Sequence, residues 1–320
     1  MTRFLLLAFI LSLCIPLSAQ QLPLFTQYGE QVGLVNPAAV SNDFLLYEHN
    51  VSFGASYRRQ WLGLESAPKT QSIRGEYIFA DTEGIGLIAG GHLINDQTGP
   101  TGFTGIYGRI AGIFSDDPYD SGISAGFSLG LVQYRVNISD IKFLELNDVL
   151  ITEDQSQLYP DVGFGVYAYK RLSGGGWLDD SQVYGGISVP QLFGLDLEFK
   201  DDNDQFFTRR LQHFYGLLGL IKYLDDGKYI QPSIWVKYVP NVPVNIDFNF
   251  RYQLATNFWL GTGASTAGTV HLETGVILGE EAGYGNHFKV AYGFDYSFRT
   301  FGPAAGTTHE INLFYSFGNY

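Results

Sequence analysis

Two overlapping pentapeptides, GISAG (122–126) and GFSLG (126–130), have the G-x-S-x-G spacing of a serine-hydrolase elbow. Such an elbow holds its serine on a sharp turn between a strand and a helix, where a base can activate the hydroxyl. Here one alternating pattern runs through both matches, and glycine and serine alternating on a polar face account for them. GIGLIA (84–89) has a fragment of dinucleotide-binding glycine spacing, but no strand–helix–strand unit follows it. KDDNDQ (200–205) is dense in carboxylates yet lacks the glycine and distal glutamate of a calcium loop, so it reads as a solvated acidic loop. The six histidines fall on separate segments without close spacing, and neither a metal cluster nor a serine–histidine pair is expected. No catalytic residue, metal or cofactor is nominated. What remains is YRRQWLGLESAPKTQS (57–72), where two adjacent guanidiniums, an indole, Gly63 and Pro68 make a compact loop with planar donors. Trp61 could sit in a lipid headgroup layer with Arg58 and Arg59 on phosphates. The same residues could grip a protein partner through bidentate and aromatic contacts. From residue types alone the two alternatives are even.

The elements that position these residues follow from hydrophobic periodicity. VPVNIDFNFRYQ (242–253) places Val244, Ile246, Phe248, Phe250 and Tyr252 on one side of a strand and Asn245, Asp247, Asn249 and Arg251 on the other. HFKVAYGFDYSFR (287–299) repeats the arrangement, with Phe288, Val290, Tyr292, Phe294, Tyr296 and Phe298 opposite His287, Lys289, Asp295 and Arg299. About fourteen such segments recur, near 49–57, 70–79, 84–94, 102–114, 121–136, 160–171, 181–189, 209–223, 228–239, 243–252, 256–265, 268–278, 286–298 and 307–318. Most have the length that crosses a bilayer at a steep tilt. Abundant glycine, tyrosine and phenylalanine, with few helix formers in series, agree with an all-β chain.

The chain opens MTRFLLLAFILSLCIPLSAQQ, a basic residue, an apolar run and Leu17-Ser18-Ala19, which is the pattern of a secretory signal cut after Ala19. The run is too short to span a bilayer as a helix. Cys14 is the only cysteine, and Leu13 before it is too large for lipoprotein processing. The mature chain therefore has no thiol chemistry, and about 300 residues bury enough surface without disulfides. With 19 Lys and Arg against 32 Asp and Glu the formal charge is −13, one unit more negative once Arg3 leaves with the signal. Nucleic acid is not an expected partner.

Connections between segments alternate in character. ADTE (80–83), DDPYD (116–120), DDG (225–227) and LATN (254–257) are short, whereas 58–69, 95–101, 137–159 and 190–208 are long. PNVP (240–243) and STAG (265–268) are short members of the second set. Short turns at one end and long loops at the other characterise outer-membrane barrels. A soluble barrel of about fourteen strands would be too wide for side chains to fill. Lipid on the aromatic face removes that difficulty, and closure satisfies every backbone amide. The expectation is a closed antiparallel transmembrane β-barrel over 49–320, a signal peptide over 1–19, and a periplasmic N-terminal segment over 20–48 serving as a plug or docking segment. Both chain ends are expected in the periplasm. Asp247, Arg251, Glu273, Lys289 and Asp295 should face the lumen, with Asp247/Arg251 and Lys289/Asp295 as bracing pairs.

Three blocks carry a family resemblance. YRRQWLGLESAPKTQ, with Tyr57, Arg58, Arg59, Gln60, Trp61, Gly63, Pro68 and Lys69, closely resembles the signature of the PorP/SprF family of Bacteroidota type IX secretion and gliding-motility outer-membrane proteins. LFTQYGEQVGLVNPAAV resembles that family's N-terminal block at Phe25, Thr26, Gln27, Tyr28, Asn36, Pro37 and Ala38. NDQTGP resembles its second-loop element at Asp96, Gly99 and Pro100. These blocks cover the first third of the chain, and Ser66 stands where the family more usually has glycine. The resemblance implies a non-enzymatic barrel at the cell surface that holds a secreted cargo protein or adhesin bearing a type IX C-terminal domain. It also implies links to periplasmic, peptidoglycan-associated components, and it makes the residues named in the three blocks, Thr26 and Ala38 apart, candidate partner contacts. The alternative is a transport channel for small or hydrophobic solutes, resembling FadL. Under either reading the mature protein should fractionate with outer-membrane lipid and stay in solution only in detergent. Recovery as a water-soluble monomer would reverse the assignment of its two faces.

Overall fold

The structure, a computed structural model, describes residues 25–80, 84–137, 154–193, 196–200, 205–209, 211–255, 257–279, 285–298 and 302–318, with backbone alone for 196–200, 205–209 and 302–303. Its strands are β1 (Val51–Arg59), β2 (Lys69–Phe79), β3 (Ile85–Thr98), β4 (Thr101–Phe114), β5 (Ser121–Val136), β6 (Gln155–Leu172), β7 (Ser181–Val189), β8 (Asp196–Lys200), β9 (Gln205–Arg209), β10 (Phe214–Tyr223), β11 (Tyr229–Tyr238), β12 (Asn245–Ala255), β13 (Phe258–Ser265), β14 (Thr269–Leu278), β15 (Asn286–Ser297) and β16 (Thr308–Phe317). Fourteen of them form one closed antiparallel barrel, in which β7 pairs with β10 and β1 closes on β16. The closing register runs from Val51 opposite Phe317 to Arg59 opposite His309. Strands β8 and β9 pair antiparallel in a separate two-stranded sheet that is not part of the barrel's ladder.

The alternation seen in the sequence resolves as apolar outside and polar inside. On β12, Phe248 and Phe250 are 52% and 44% exposed while Asp247 and Arg251 are each 6% exposed. The same inversion holds for Phe288 and Tyr292 against His287 and Lys289 on β15. Only hydrocarbon makes such an outer face favourable, and only a closed ring leaves no unpaired edge within it.

Connections at the end reached by β1 form the longer set, and we call this the loop end. It carries 60–68, the β5–β6 connection, the β7–β10 connection with its hairpin, and 298–307. The opposite, turn end carries 115–120, 173–180 and 224–228. One expected loop is absent: 95–101 is almost wholly strand, because β3 and β4 pair up to Thr98 opposite Thr101. Gly99 at φ +58 followed by Pro100 makes the two-residue turn, glycine supplying the left-handed first position of a type II′ hairpin. β3, β4, β5 and β6, at 14, 14, 16 and 18 residues, exceed the roughly 9–11 residues a bilayer needs and form a raised wall at the loop end.

The lumen is filled by Phe25–Asn50, nearly all of it buried. This segment holds the 3-10 turn Tyr28–Gln31, the helical turn Val32–Val35 and the helix Asn42–Tyr47, whose N-cap Ser41 accepts from the Phe44 amide. It bonds inward-facing groups on β1, β4, β5, β6, β7, β11, β12, β15 and β16, which a segment can do only from inside the ring.

Several inward aromatics lie flat over a glycine directly across the ladder: Tyr107 over Gly130, Tyr184 over Gly219 and Trp259 over Gly275. A Cβ on Gly275 would stand 2.0 Å from the Trp259 ring. Gly275→Val should therefore force Trp259 off its seat and lower stability by about 1–3 kcal/mol, the usual range for overpacking. Gly108→Ala, facing open space, should be neutral. Urea unfolding of the detergent-folded barrel measures both.

Candidate interaction site

The NPAAV turn of the N-terminal block (36–40) is seated on the β4–β7 wall. The Asn36 side chain accepts from the Ala38 amide at 3.0 Å and donates to the Val166 carbonyl at 3.1 Å. It fits because Gly165 and Gly186 leave it room: a Cβ on Gly165 would lie 2.0 Å from Asn36 Oδ1. Carbonyls along the turn are satisfied by wall side chains. Arg109 donates to those of Pro37 and Ala39 at 3.0 and 2.9 Å, Ser124 to that of Ala38 at 2.7 Å and Ser188 to that of Val35 at 2.9 Å. Arg109 is balanced by Glu76. Ser124 is the serine of GISAG, mid-strand on β5, so the hydrolase-like match marks a clamp on this turn.

A chain of five charges, four of them buried and Glu273 partly so, ties the segment to the opposite wall. Lys289 lies 2.8 Å from both Asp43 and Glu30, and Arg251 lies 2.6 Å from Glu30 and 2.9 Å from Glu273. The expected pairs are corrected here. Asp247 pairs with Lys237 at 2.9 Å, and Asp295 pairs with Arg58 at 2.7 Å. Residues four or six apart on one strand are separated by about 13–20 Å, so these partners come from neighbouring strands and from the lumen segment. Glu30 and Asp43 lie outside the spanning strands. Burial pushes both carboxyls up, but Lys289 and Arg251 beside Glu30, and Lys289 beside Asp43, hold them below the usual carboxylate range.

The Arg58-Arg59 dipeptide does not lie on the loop. Both residues end β1, whose alternation turns Tyr57 and Arg59 outward and Arg58 inward. Arg58 is 5% exposed, so a surface contact through it is ruled out in this state. Its guanidinium donates to Thr26 Oγ1 and Asp295, both at 2.7 Å, and Glu310 lies 3.6 Å away. Glu310 in turn accepts from the Thr26 and Gln27 amides. Arg59 stands opposite Lys69 on the outer face at the barrel rim. Gln27 is buried, and Tyr28 packs on Phe25 and Trp235 beneath the Lys237 ammonium. Asp96 accepts from Thr70 inside the wall, and Gly99 and Pro100 form the hairpin tip.

The loop itself is residues 60–68. Gln60 N–H bonds Pro68 O, closing its base. Trp61, at φ 56, bonds Thr308 Oγ1 through its amide, and the Leu62 and Gly63 amides bond the Thr307 and Ala305 carbonyls at 2.9 and 2.8 Å. A Cβ on Gly63 would lie 2.8 Å from Ala305 O, so only glycine permits this approach. The loop is thus locked to the β15–β16 connection and turns Leu62, Leu64, Glu65 and Ser66 outward. The sixteen sequence candidates divide into buried lumen contacts (Phe25, Gln27, Tyr28, Asn36, Pro37, Arg58), the half-buried inner-wall Asp96, rim residues (Tyr57, Arg59, Lys69), loop residues (Gln60, Trp61, Gly63, Pro68) and the tip pair Gly99–Pro100. Sequence reasoning missed Thr26, Glu30, Asp43 and Glu310 as lumen contacts, and the exposed Leu62 and Leu64. For Arg58 a signal existed, since Ser52, Gly54 and Ser56 share its small, polar face.

Glu30→Gln should remove the carboxylate that Lys289 and Arg251 share, leaving each with a single partner (Asp43 and Glu273), and cost about 3 kcal/mol, the lower end for breaking a buried pair, read as a lower urea midpoint. Because Glu30 and Asp43 titrate lower folded than unfolded, their contribution is complete above the ordinary carboxylate range and lost as pH falls through their depressed values. Wild type should lose stability steeply only in that acidic window, and Glu30→Gln less steeply.

The solved structure of the CymD monoaromatic hydrocarbon channel is similar in fold, at 9% identity over 92% of this chain and 97% of that one, with a TM-score of 0.51. Weaker likenesses are a Pseudomonas aeruginosa FadL homologue (7% identity, 85% of this chain and 89% of that one, TM-score 0.48) and the β domain of the Bordetella autotransporter BrkA (14% identity, 84% and 99%, TM-score 0.42). No curated protein sequence matches. The family model described as type IX secretion system membrane protein PorP/SprF matches residues 17–315, and with its closed outer-membrane barrel the chain belongs to the PorP/SprF family.

Proposed function

We propose that this barrel is a non-enzymatic anchor in the outer membrane of a Bacteroidota cell. It holds a secreted protein with a type IX C-terminal domain at its loop end and connects through its turn end to periplasmic, peptidoglycan-associated components. The observation that carries this reading over solute transport is the filled lumen: Phe25–Asn50 contacts strands all round the ring. A transporter must open a path, and opening one here would strip counter-charges from Glu30, Lys289, Arg251 and Glu273 together. The loop end is the outward end because it bears the longer connections. Its raised β3–β6 wall and its loop 60–68, tied to 302–307, offer a preorganised surface that loses little entropy on binding. Leu62 and Leu64 provide apolar contact there, and the rim pair Arg59 and Lys69 suits lipid phosphates.

Two measurements test the proposal. Reconstituted in planar bilayers at neutral pH, wild type should show no porin-like conductance, and open-porin steps would favour transport. Extracted in detergent from cells, the barrel should retain a secreted protein carrying a type IX C-terminal domain. Leu62→Asp/Leu64→Asp should reduce that retention at least tenfold without moving the urea midpoint. Full retention by this variant would remove the loop from the interface.

A further inference from the structure

Arg58 and Arg59 are neighbours in sequence with opposite surroundings. Arg58 turns inward to Thr26, Asp295 and Glu310, whereas Arg59 turns outward and has no ion-pair partner among the described residues. Its Nε–H is covered without an acceptor. Across the β1–β2 ladder stands Lys69, exposed and equally without a counter-charge, and across β2–β3 stands Gln97, also exposed. Residues directly opposite on a ladder share a face, so these three form one outer row at the loop end. On the other side of Arg59 is His309, whose ring nitrogens are taken by Tyr292 and Thr307. Below lies a row of Tyr57, Gln71 and Asn95, then one of Ala55, Ile73 and Leu93, with Ile73 60% and Leu93 47% exposed. Lys69 is thus about 13 Å along β2 from the apolar band, at headgroup rather than acyl depth. Among the described residues, the outer faces of β15, β16, β1, β2 and β3 carry no carboxylate.

We propose that this outer strip is a binding site for the phosphorylated sugar headgroup of an outer-leaflet glycolipid of the lipid A class. The site deepens the role given above to Arg59 and Lys69, and it rests on the reading that the loop end faces outward. The planar fork of Arg59 and the Lys69 ammonium take a phosphate through charge-assisted bonds. The side-chain amides of Gln71 and Gln97 suit the hydroxyls of the sugar that bears it. Acyl chains then lie against Ala55, Ile73 and Leu93. Charge complementarity selects the occupant. The inward cations Arg58, Arg109, Lys237, Arg251 and Lys289 all pair with carboxylates of this chain. In a protein of formal charge −13, two adjacent cations left unpaired require an anion from elsewhere. They face sideways into the layer around the barrel, whereas a secreted partner above the rim meets Leu62 and Leu64. Arg59 and Lys69 also bracket loop 60–68, whose base is closed by Gln60 N–H on Pro68 O. A phosphate held between them braces that base from the membrane side.

The full-length barrel, folded in detergent and stripped of lipid, is titrated by native mass spectrometry with bisphosphorylated lipid A, its dephosphorylated form and phosphatidylglycerol. Wild type should bind lipid A at least tenfold more tightly than either of the others. Arg59→Gln/Lys69→Gln should weaken lipid A binding at least tenfold without moving the urea midpoint. Lys69→Gln alone, at an exposed position, should weaken it several-fold and decides the matter if the double variant misfolds. Lys170→Gln, which removes an exposed cation near the turn end of β6, should change nothing. Equal binding of the dephosphorylated form, wild-type affinity in the double variant, or an equal loss in Lys170→Gln overturns the site. Equal binding of phosphatidylglycerol overturns the glycolipid assignment. Cargo retention is scored separately and should persist in the double variant; its loss at unchanged lipid A affinity would give the pair to the protein partner and overturn the site. A wild type that retains no cargo fails the anchoring reading alone. Glu65→Cys on loop 60–68 should label on intact cells with a membrane-impermeant maleimide, and labelling only after permeabilisation removes the outward orientation and the glycolipid site with it.

Discussion

Charges facing the interior of a closed barrel have three sources of stabilisation: water in an open lumen, each other, or something placed between them. Asp43, Lys289, Glu30, Arg251 and Glu273 use the third. Glu30 and Asp43 come from the lumen segment, and the cations come from β12 and β15, so neither the segment nor the wall is electrostatically complete alone. Desolvating an ion costs several kcal/mol, and only close, well-directed partners offset it. The chain of five charges therefore specifies where the segment sits more than it adds to net stability. The NPAAV turn on the opposite wall acts likewise through neutral groups, with Arg109, Ser124 and Ser188 satisfying carbonyls that would otherwise be buried bare.

This arrangement changes what the family's sequence blocks do. Much of what looked like a surface-recognition signature is internal architecture. Arg58 joins the first residues of the lumen segment to β15 and β16. Asn36 is moulded to two wall glycines. Asp96 ties adjacent strands. Residues with a free outer surface are fewer, chiefly the tip of 60–68 and the rim pair Arg59 and Lys69. The surface loop and the lumen segment are nonetheless neighbours at one mouth, with Thr26 and Trp61 bonded to Glu310 and Thr308, two residues apart on β16.

Membership of the PorP/SprF family and a closed fourteen-strand barrel agree with a secretion role. The resemblance to CymD reports how such a barrel is built. A filled lumen, a raised wall and a loop held rigid by a neighbouring connection together favour grip over passage.

Strand period is local, so the sequence by itself determined the fourteen spanning segments, their apolar-out sense and, 95–101 apart, the longer set of connections. Side-chain alternation of two residues needs no knowledge of what lies across the ladder. Three matters were decided only by tertiary structure. Asn95–Thr98, rich in loop-type residues, became strand because Thr70 and Thr104 on adjacent strands bond Asp96 and Asn95. Ion-pair partners were set by ring closure, which brings Glu30 to Arg251 and Lys289 across more than 200 residues of sequence. The fate of residues 25–50 was likewise settled by the ring: a polar, turn-broken stretch has no period to read, and its place follows from the unsatisfied charges and carbonyls that only the assembled lumen presents.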